Sequence, residues 1–126
     1  MATLELTSEN FNETIENNDI VIVDFWALWC GPCKSFAPTF EAASESHPDV
    51  VFAKVNTEDE TELAQGCGIR SIPTLMLFRQ KILLFNEAGA LPPAQLEDMV
   101  AKVKELDMDQ VRASMAEAEA EQAQGE

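Results

Sequence analysis

Two cysteines two residues apart, in Cys30-Gly31-Pro32-Cys33, stand where an apolar run from Ile20 to Trp26 gives way to a segment of helical periodicity. That junction predicts a pair of thiols at a helix N-terminus. There the first backbone N–H groups lack helical partners and the macrodipole is positive, so a thiolate is favoured over a thiol and Cys30 is expected to be nucleophilic at neutral pH. Pro32 suits the first helical turn, because its missing N–H would have no partner there. Cys33, about one turn on, can face Cys30 and attack it. The chemistry this supports is thiol–disulfide exchange: Cys30 attacks a target disulfide, a mixed disulfide forms, and Cys33 resolves it.

Zinc ribbons use the same spacing to place two ligands. Structural zinc takes four Cys or His ligands, however, and the chain offers only Cys67 and His47 besides this pair. His47 lies fourteen residues after Cys33, about 21 Å along a helix, too far to share a metal with it or to serve as a base for Cys30. A purely structural bridge is also disfavoured, since closing so short a loop constrains the unfolded chain little. No metal is expected at the pair.

The elements that position the thiols follow from periodicity. A short strand at Thr3 to Leu6 precedes a helix capped by Thr7 or Ser8, with Phe11 and Ile15 at i, i+4 spacing. The strand from Ile20 to Ala27 is apolar on both faces apart from Asp24, as a strand buried between helix layers should be. A helix from about Pro32 to Ser46 carries Phe36, Phe40 and Ala43 on one face, with Pro38 inside it as a kink. Val50 to Asn56 reads as a second buried strand and Glu58 to Gln65 as a short acidic helix. Thr74 to Phe78 and Ile82 to Phe85 form a hairpin, and the last domain helix starts near Pro92 or Pro93 with Leu96, Met99, Val100, Val103 and Leu106 as its stripe. The order implies an α/β fold, a central mixed β-sheet flanked by helices on both faces.

With 126 residues, 46% of them hydrophobic, the chain is long enough to bury a core without staples. Three cysteines cannot make a disulfide framework. Met1 to Asn10 shows neither the basic region nor the apolar core of a signal peptide, and no apolar run is long enough to span a bilayer. A cytoplasmic protein is expected, in a compartment where a Cys-x-x-Cys pair is catalytic more often than structural. A net charge of −15 argues against nucleic acid and anionic membrane as partners. Asp24 stands apart: a carboxylate within a buried strand is costly unless paired or protonated, and burial raises its pKa.

Val23-Asp24-Phe25-Trp26-Ala27, Trp29-Cys30-Gly31-Pro32-Cys33-Lys34, Gly68-Ile69-Arg70-Ser71-Ile72-Pro73-Thr74 and Gly89-Ala90-Leu91 resemble the thioredoxin family in order and spacing. The resemblance covers roughly residues 3 to 106. It implies a thioredoxin fold on 1–106 and a general protein-disulfide reductase that cycles between dithiol and disulfide without a bound cofactor. It assigns attack to Cys30, resolution to Cys33 and a buried acid/base role to Asp24, with Lys54 on the neighbouring strand as its charge partner. It further implies a cis bond at Ile72-Pro73, whose backbone would hydrogen-bond an extended substrate. Trp29, Gly31, Pro32, Ile72, Pro73, Thr74, Gly89 and Ala90 would form the docking surface, with Trp26 as support beneath. Its implied partners are a thioredoxin reductase and disulfide-containing clients, with ribonucleotide reductase, peroxiredoxins and methionine sulfoxide reductases as client types. The protein is expected to act as a monomer. Cys67, beside the loop that leads to Pro73, is expected to be dispensable for catalysis but open to oxidative cross-linking of two copies.

Departures from the family pattern also carry expectations. Leu28 stands where a polar residue or proline is frequent and enlarges the apolar surface. Arg79-Gln80-Lys81 lacks the usual hairpin Gly; a non-Gly residue at positive φ costs roughly 1–2 kcal/mol, so a different turn is expected. Ile82-Leu83-Leu84-Phe85 is apolar at four successive positions on an edge strand, leaving one row exposed unless something covers it. Residues 107–126 form an acidic, helical C-terminal extension capped by Asp107 or Asp109, with Met108, Val111 and Met115 as a thin stripe. A solvated tail is one reading of it; the other is a stripe that covers the edge strand or recruits a partner. Two further functional readings differ in kind: a binding module whose redox cycling is incidental, and an oxidase or isomerase. The second would suit a histidine between the cysteines better than Gly31-Pro32.

Overall fold

The computed structural model describes residues 2–125. The termini of the two expected segments, Met1 and Glu126, lie outside the described residues. Five strands, β1 (Thr3–Glu5), β2 (Ile20–Trp26), β3 (Val51–Asn56), β4 (Thr74–Arg79) and β5 (Ile82–Ala88), form one sheet in the order β1-β3-β2-β4-β5. β1, β3 and β2 run parallel; β4 is antiparallel to β2 and β5 to β4. The helices are α1 (Phe11–Asn17), α2 (Gly31–Ser46), α3 (Thr61–Gly66), α4 (Pro93–Glu105) and α5 (Met108–Gly125).

β2 is apolar on both faces because it lies between two cores. Ile20 and Ile22 join Phe36 and Phe40 of α2, Phe52 of β3 and Leu96, Val100 and Val103 of α4. The alternate residues Val21, Val23 and Phe25 join Leu6, Phe11, Ile15 and Val55 on the opposite face. By the two-residue period, Asp24 shares the α2 side of the sheet with Ile22 and Trp26.

Several boundaries differ from expectation, each for a local reason. α1 begins at Phe11 rather than beside Thr7, because Thr7 to Asn10 form a turn in which the Thr7 N–H donates to Asn10 Oδ1 at 2.7 Å. α3 begins at Thr61, since Asn56 draws the following residues into a turn, accepting the Glu58 N–H on its side chain and the Glu60 N–H on its carbonyl. The β4–β5 connection does use positive φ, at Gln80 (51°) and Lys81 (72°), although neither is glycine. Arg79 pairs with Ile82, which leaves two residues for the turn, and a two-residue turn matches the strand twist when both have φ > 0. Gln80 is held from outside as well: its N–H donates to the Asp19 carbonyl at 2.8 Å.

The four successive apolar residues of β5 are accommodated by a bulge. Leu77 pairs with Phe85 and Phe78 with Leu83, so Leu84 is an extra residue and both Leu84 and Phe85 pack against the α2/α4 core. Leu83 is left 43% exposed. α5 is capped by Asp107, whose carboxylate accepts the N–H groups of Asp109 and Gln110. Of its stripe, Met108 is buried, Val111 half-buried and Met115 exposed. Arg79 fixes the α4–α5 junction by donating to the Val103, Lys104 and Leu106 carbonyls, and Arg112 donates to Gln80 at the hairpin tip. Among the described residues, no helix is long and apolar enough to cross a membrane.

The extension is therefore anchored at its root and solvated beyond it. Met108→Ala should lower unfolding free energy by about 2 kcal/mol or more, whereas Met115→Ala should change it by less than about 0.5 kcal/mol. Urea titrations of the two variants check this, and equal effects would mean that the stripe packs along its whole length.

Candidate active site

The C-terminal end of β2 sets the site. After Trp26 the chain turns through Ala27, whose carbonyl accepts the Cys30 N–H at 3.2 Å, and α2 begins at Gly31. Cys30 is the residue that caps this helix: its sulfur accepts the Cys33 backbone N–H at 3.2 Å. The sulfur thus occupies the place where an oxygen-bearing cap side chain meets the unpaired N–H groups and the positive end of the dipole. Pro32 lies in the first turn, and nothing stands within 4 Å of the Cβ position on Gly31. Cys30 and Cys33 are joined as a disulfide with Cα atoms 5.3 Å apart, and both are 3% exposed.

Opposite them, the Ile72-Pro73 bond is cis and the Ile72 carbonyl oxygen lies 3.8 Å from Cys30 Sγ. A cleft of about 480 Å³ opens beside the disulfide, lined by Trp29, Cys30, Gly31, Pro32 and Ile72 among the residues expected there. Cys33 is not among its lining residues. Trp29 is 69% exposed and Leu28 68%, so two large apolar side chains stand in solvent next to the disulfide. Trp26 and Ile72 pack directly around the cysteines.

A family model described as Thioredoxin matches residues 2–119. The chain belongs to the thioredoxin family. It is 52% identical over 120 residues to the putative thioredoxin 2 of Streptomyces coelicolor, spanning 95% of this chain and 90% of that relative. To the thioredoxin of Alicyclobacillus acidocaldarius it is 44% identical, over 81% of this chain and 98% of the relative. The structure of Plasmodium falciparum thioredoxin superposes with a TM-score of 0.74 at 33% identity, covering 79% of this chain and 98% of that one. The fold is the thioredoxin fold, with an additional C-terminal helix. The protein is a protein-disulfide oxidoreductase, and the Cys30–Cys33 disulfide is its redox-active centre. Family membership implies disulfide-bearing clients and a thioredoxin reductase in general terms.

Around this thioredoxin centre, the remaining expected residues take distinct places. Asp24 is wholly buried, and neither carboxylate oxygen has a hydrogen-bond partner. Desolvation raises its pKa to about 7, against a smaller lowering by Lys54. Lys54 is the register partner of Asp24 across β2 and β3, but its ammonium lies 4.9 Å over the Trp26 ring rather than in an ion pair. Pro73 is buried, and its carbonyl accepts the Gly89 N–H at 2.8 Å; Gly89, at φ +101°, needs its missing Cβ. Gly89 and Ala90 are exposed. Thr74 is buried and donates its hydroxyl to the Ser71 carbonyl at 2.7 Å, so its side chain braces the loop instead of facing a substrate. Cys67 is half-buried against the α1/α3-side core, and burial pushes its thiol pKa up, which makes it a poorer nucleophile than an exposed thiol. His47 sits at the far end of α2, paired with Glu97 and Lys104.

The cleft also includes Thr57 and Ala64, which the sequence did not point to, and Ile69, Arg70 and Ser71, which belong to a family motif but were not expected to line the site. Thr57 follows β3 as Ala27 follows β2, and residues beyond the carboxyl ends of parallel strands are where such sheets place ligands. That rule, with the adjacency of 69–71 to Pro73, was the available signal.

The raised Asp24 pKa has a definite sign. Between pH 3.8 and about 7 the folded protein holds a proton that the unfolded chain has lost, so stability falls as pH rises through that window and is level above it. Asp24→Asn should therefore gain stability relative to the wild type from pH 4 to pH 8, by on the order of 4 kcal/mol at most. Denaturant unfolding at the two pH values measures this, and a pH-independent difference would show that Asp24 is ionised in the fold.

Proposed function

We propose that Cys30 is the thiol that attacks client disulfides and Cys33 the thiol that resolves the mixed disulfide. The observation that carries this reading is the asymmetry of the pair: Cys30 caps α2 and lines the cleft, whereas Cys33 is one turn into the helix and does not. On reduction, the Cys33 N–H that meets the Cys30 sulfur is positioned to stabilise a thiolate there. The client disulfide then loses one sulfur to Cys30 and releases the other as a thiolate. Attack by Cys33 on Cys30 frees the client and closes the internal disulfide, leaving the client reduced by two electrons.

Asp24 is the acid/base for this second step. A group whose pKa lies near 7 can accept the Cys33 proton at neutral pH, and the reading is supported by the place of Asp24 on the α2 side of β2, two residues before Trp26, which packs on the cysteines. Lys54 tunes Asp24 by its charge. Trp29, Gly31, Pro32 and Ile72 form the client surface, with Pro73 and Thr74 fixing the loop behind it, and the backbone of Ile72, just before the cis bond, offers main-chain hydrogen bonds to an extended segment. Gly89 and Ala90 extend that surface. A thioredoxin reductase recharges the disulfide, no bound cofactor is used, and the protein works as a cytoplasmic monomer with a catalytic domain on 1–106 and the extension on 107–126. Oxidative dimers through Cys67 form only when its half-buried thiol becomes accessible.

In an insulin-reduction assay driven by NADPH and a thioredoxin reductase, Cys30→Ser should abolish turnover. Cys33→Ser should also stop turnover but accumulate mixed disulfides with insulin, visible on a non-reducing gel. Trapping by Cys30→Ser instead would reverse the two roles. Asp24→Asn should lower turnover severalfold at pH 7, and a wild-type rate from pH 6 to 8 would remove Asp24 from the mechanism.

A further inference from the structure

The cleft beside the disulfide has an uneven charge. Acids make up 23 of the 126 residues, yet among the ten residues that line the cleft none is acidic and Arg70 is the one charged side chain. The other two guanidinium groups are engaged, Arg79 with three carbonyls at the end of α4 and Arg112 with Asp109 and Gln80, as are Lys104 with Asp49 and Lys54 over Trp26; Lys34, Lys81 and Lys102 do not line the cleft. Arg70 is exposed and makes no ion pair or side-chain hydrogen bond among the described residues. Its planar fork of donors is therefore open to a carboxylate from outside.

The loop that carries Arg70 is held at both ends. The Gly68 N–H donates to the Gln65 carbonyl and the Ile69 N–H to the Ala64 carbonyl, each at 3.0 Å, while the Ser71 carbonyl accepts from Thr74. A preset loop loses little entropy on binding. Ile72, two residues on, has its carbonyl oxygen 3.8 Å from Cys30 Sγ, and two residues of chain span at most about 7 Å. A client cysteine in contact with Cys30 thus brings its close sequence neighbours within reach of the Arg70 side chain.

We propose that Arg70 is a specificity-determining residue, which selects extended client segments bearing Asp or Glu within a few residues of the cysteine under attack. The proposal rests on Cys30 being the attacking thiol. It concerns the choice of substrate at this cleft and leaves the exchange chemistry as described.

The test uses three short peptides whose single cysteine is in mixed disulfide with thionitrobenzoate, identical except for Glu, Gln or Lys flanking that cysteine. The pre-reduced protein transfers electrons to each: Cys30 thiolate attacks the peptide sulfur, thionitrobenzoate leaves with the bond's electron pair, and Cys33 then displaces the peptide thiolate. Release is followed by absorbance for the wild type, Arg70→Gln and Arg70→Lys. The quantity read is the Glu-to-Lys rate ratio of the wild type divided by that of Arg70→Gln. Any effect of Arg70 on Cys30 reactivity, or of the chain's net charge, is common to both peptides or both proteins and cancels. This double ratio should be about fivefold at low ionic strength, should shrink toward one in about 0.5 M salt, and should be partly retained by Arg70→Lys. A double ratio of one at low salt, with all three peptides still reduced, would overturn the specificity role and leave the proposed mechanism standing. Failure of the wild type to release thionitrobenzoate from any peptide would overturn both.

Discussion

A sulfur atom acting as the cap of a helix is the contact on which the site depends. It requires that α2 begin where β2 ends, and β2 is fixed because its side chains are committed alternately to two cores. The rest of the site is assembled at the same edge of the sheet. β3, parallel to β2, delivers Thr57, whose N–H and hydroxyl both donate to the Trp26 carbonyl. β4, antiparallel, begins there, with Thr74 opposite Phe25, so the Ile72-Pro73 bond just before it arrives beside the sulfurs. Loops at that edge are held by hydrogen bonds to strand ends, which is how a surface site acquires the rigidity of the core.

Asp24 is the buried ionisable group in this arrangement, and its energetics oppose the fold. An unpartnered carboxyl with no accessible surface is tolerated because it is protonated over much of the pH range, and the residue is therefore least costly where it is least charged. Lys54 offsets the penalty only in part, because its ammonium is over the Trp26 ring and partly exposed. An ion pair at hydrogen-bond distance would have held Asp24 ionised at neutral pH and removed its capacity to take up a proton there. The geometry that looks incomplete as a salt bridge is suited to the acid/base role proposed for Asp24.

Much of this was legible in the sequence, and the limits have physical causes. The β2–α2 junction could be read from a change of hydrophobic period, because burial on two faces leaves a continuous apolar run and burial on one leaves a stripe. Cys30, Cys33, Asp24 and the cis bond at Pro73 were placed by motif. Local turns were not: Asn10 and Asn56 used their side chains to build turns where helix was expected, and Gln80 and Lys81 took up left-handed backbone because pairing left only two residues for the connection. Thr74 carried a motif role that burial redirects into bracing. That Thr57 and the motif residues Ile69 to Ser71 meet as the cleft's far wall was not legible, since it arises from separate chain segments coming together, a fact of tertiary structure that no local spacing encodes.

Charge on this molecule acts on two length scales that favour different things. The chain carries a net −15, and at physiological ionic strength an exposed charge is felt by an approaching partner only within about 8 Å. Within that distance of the disulfide, what matters is the local distribution, and the residues lining the cleft are apolar, neutral or, at Arg70, cationic. Long-range repulsion of acidic partners is thus weak, while a short-range contact to a carboxylate is strong and sterically defined. A net charge of this sign disfavours adventitious association with polyanions, and confining a free guanidinium to the rim of the dithiol lets recognition be decided after encounter, at the position where the sulfurs meet.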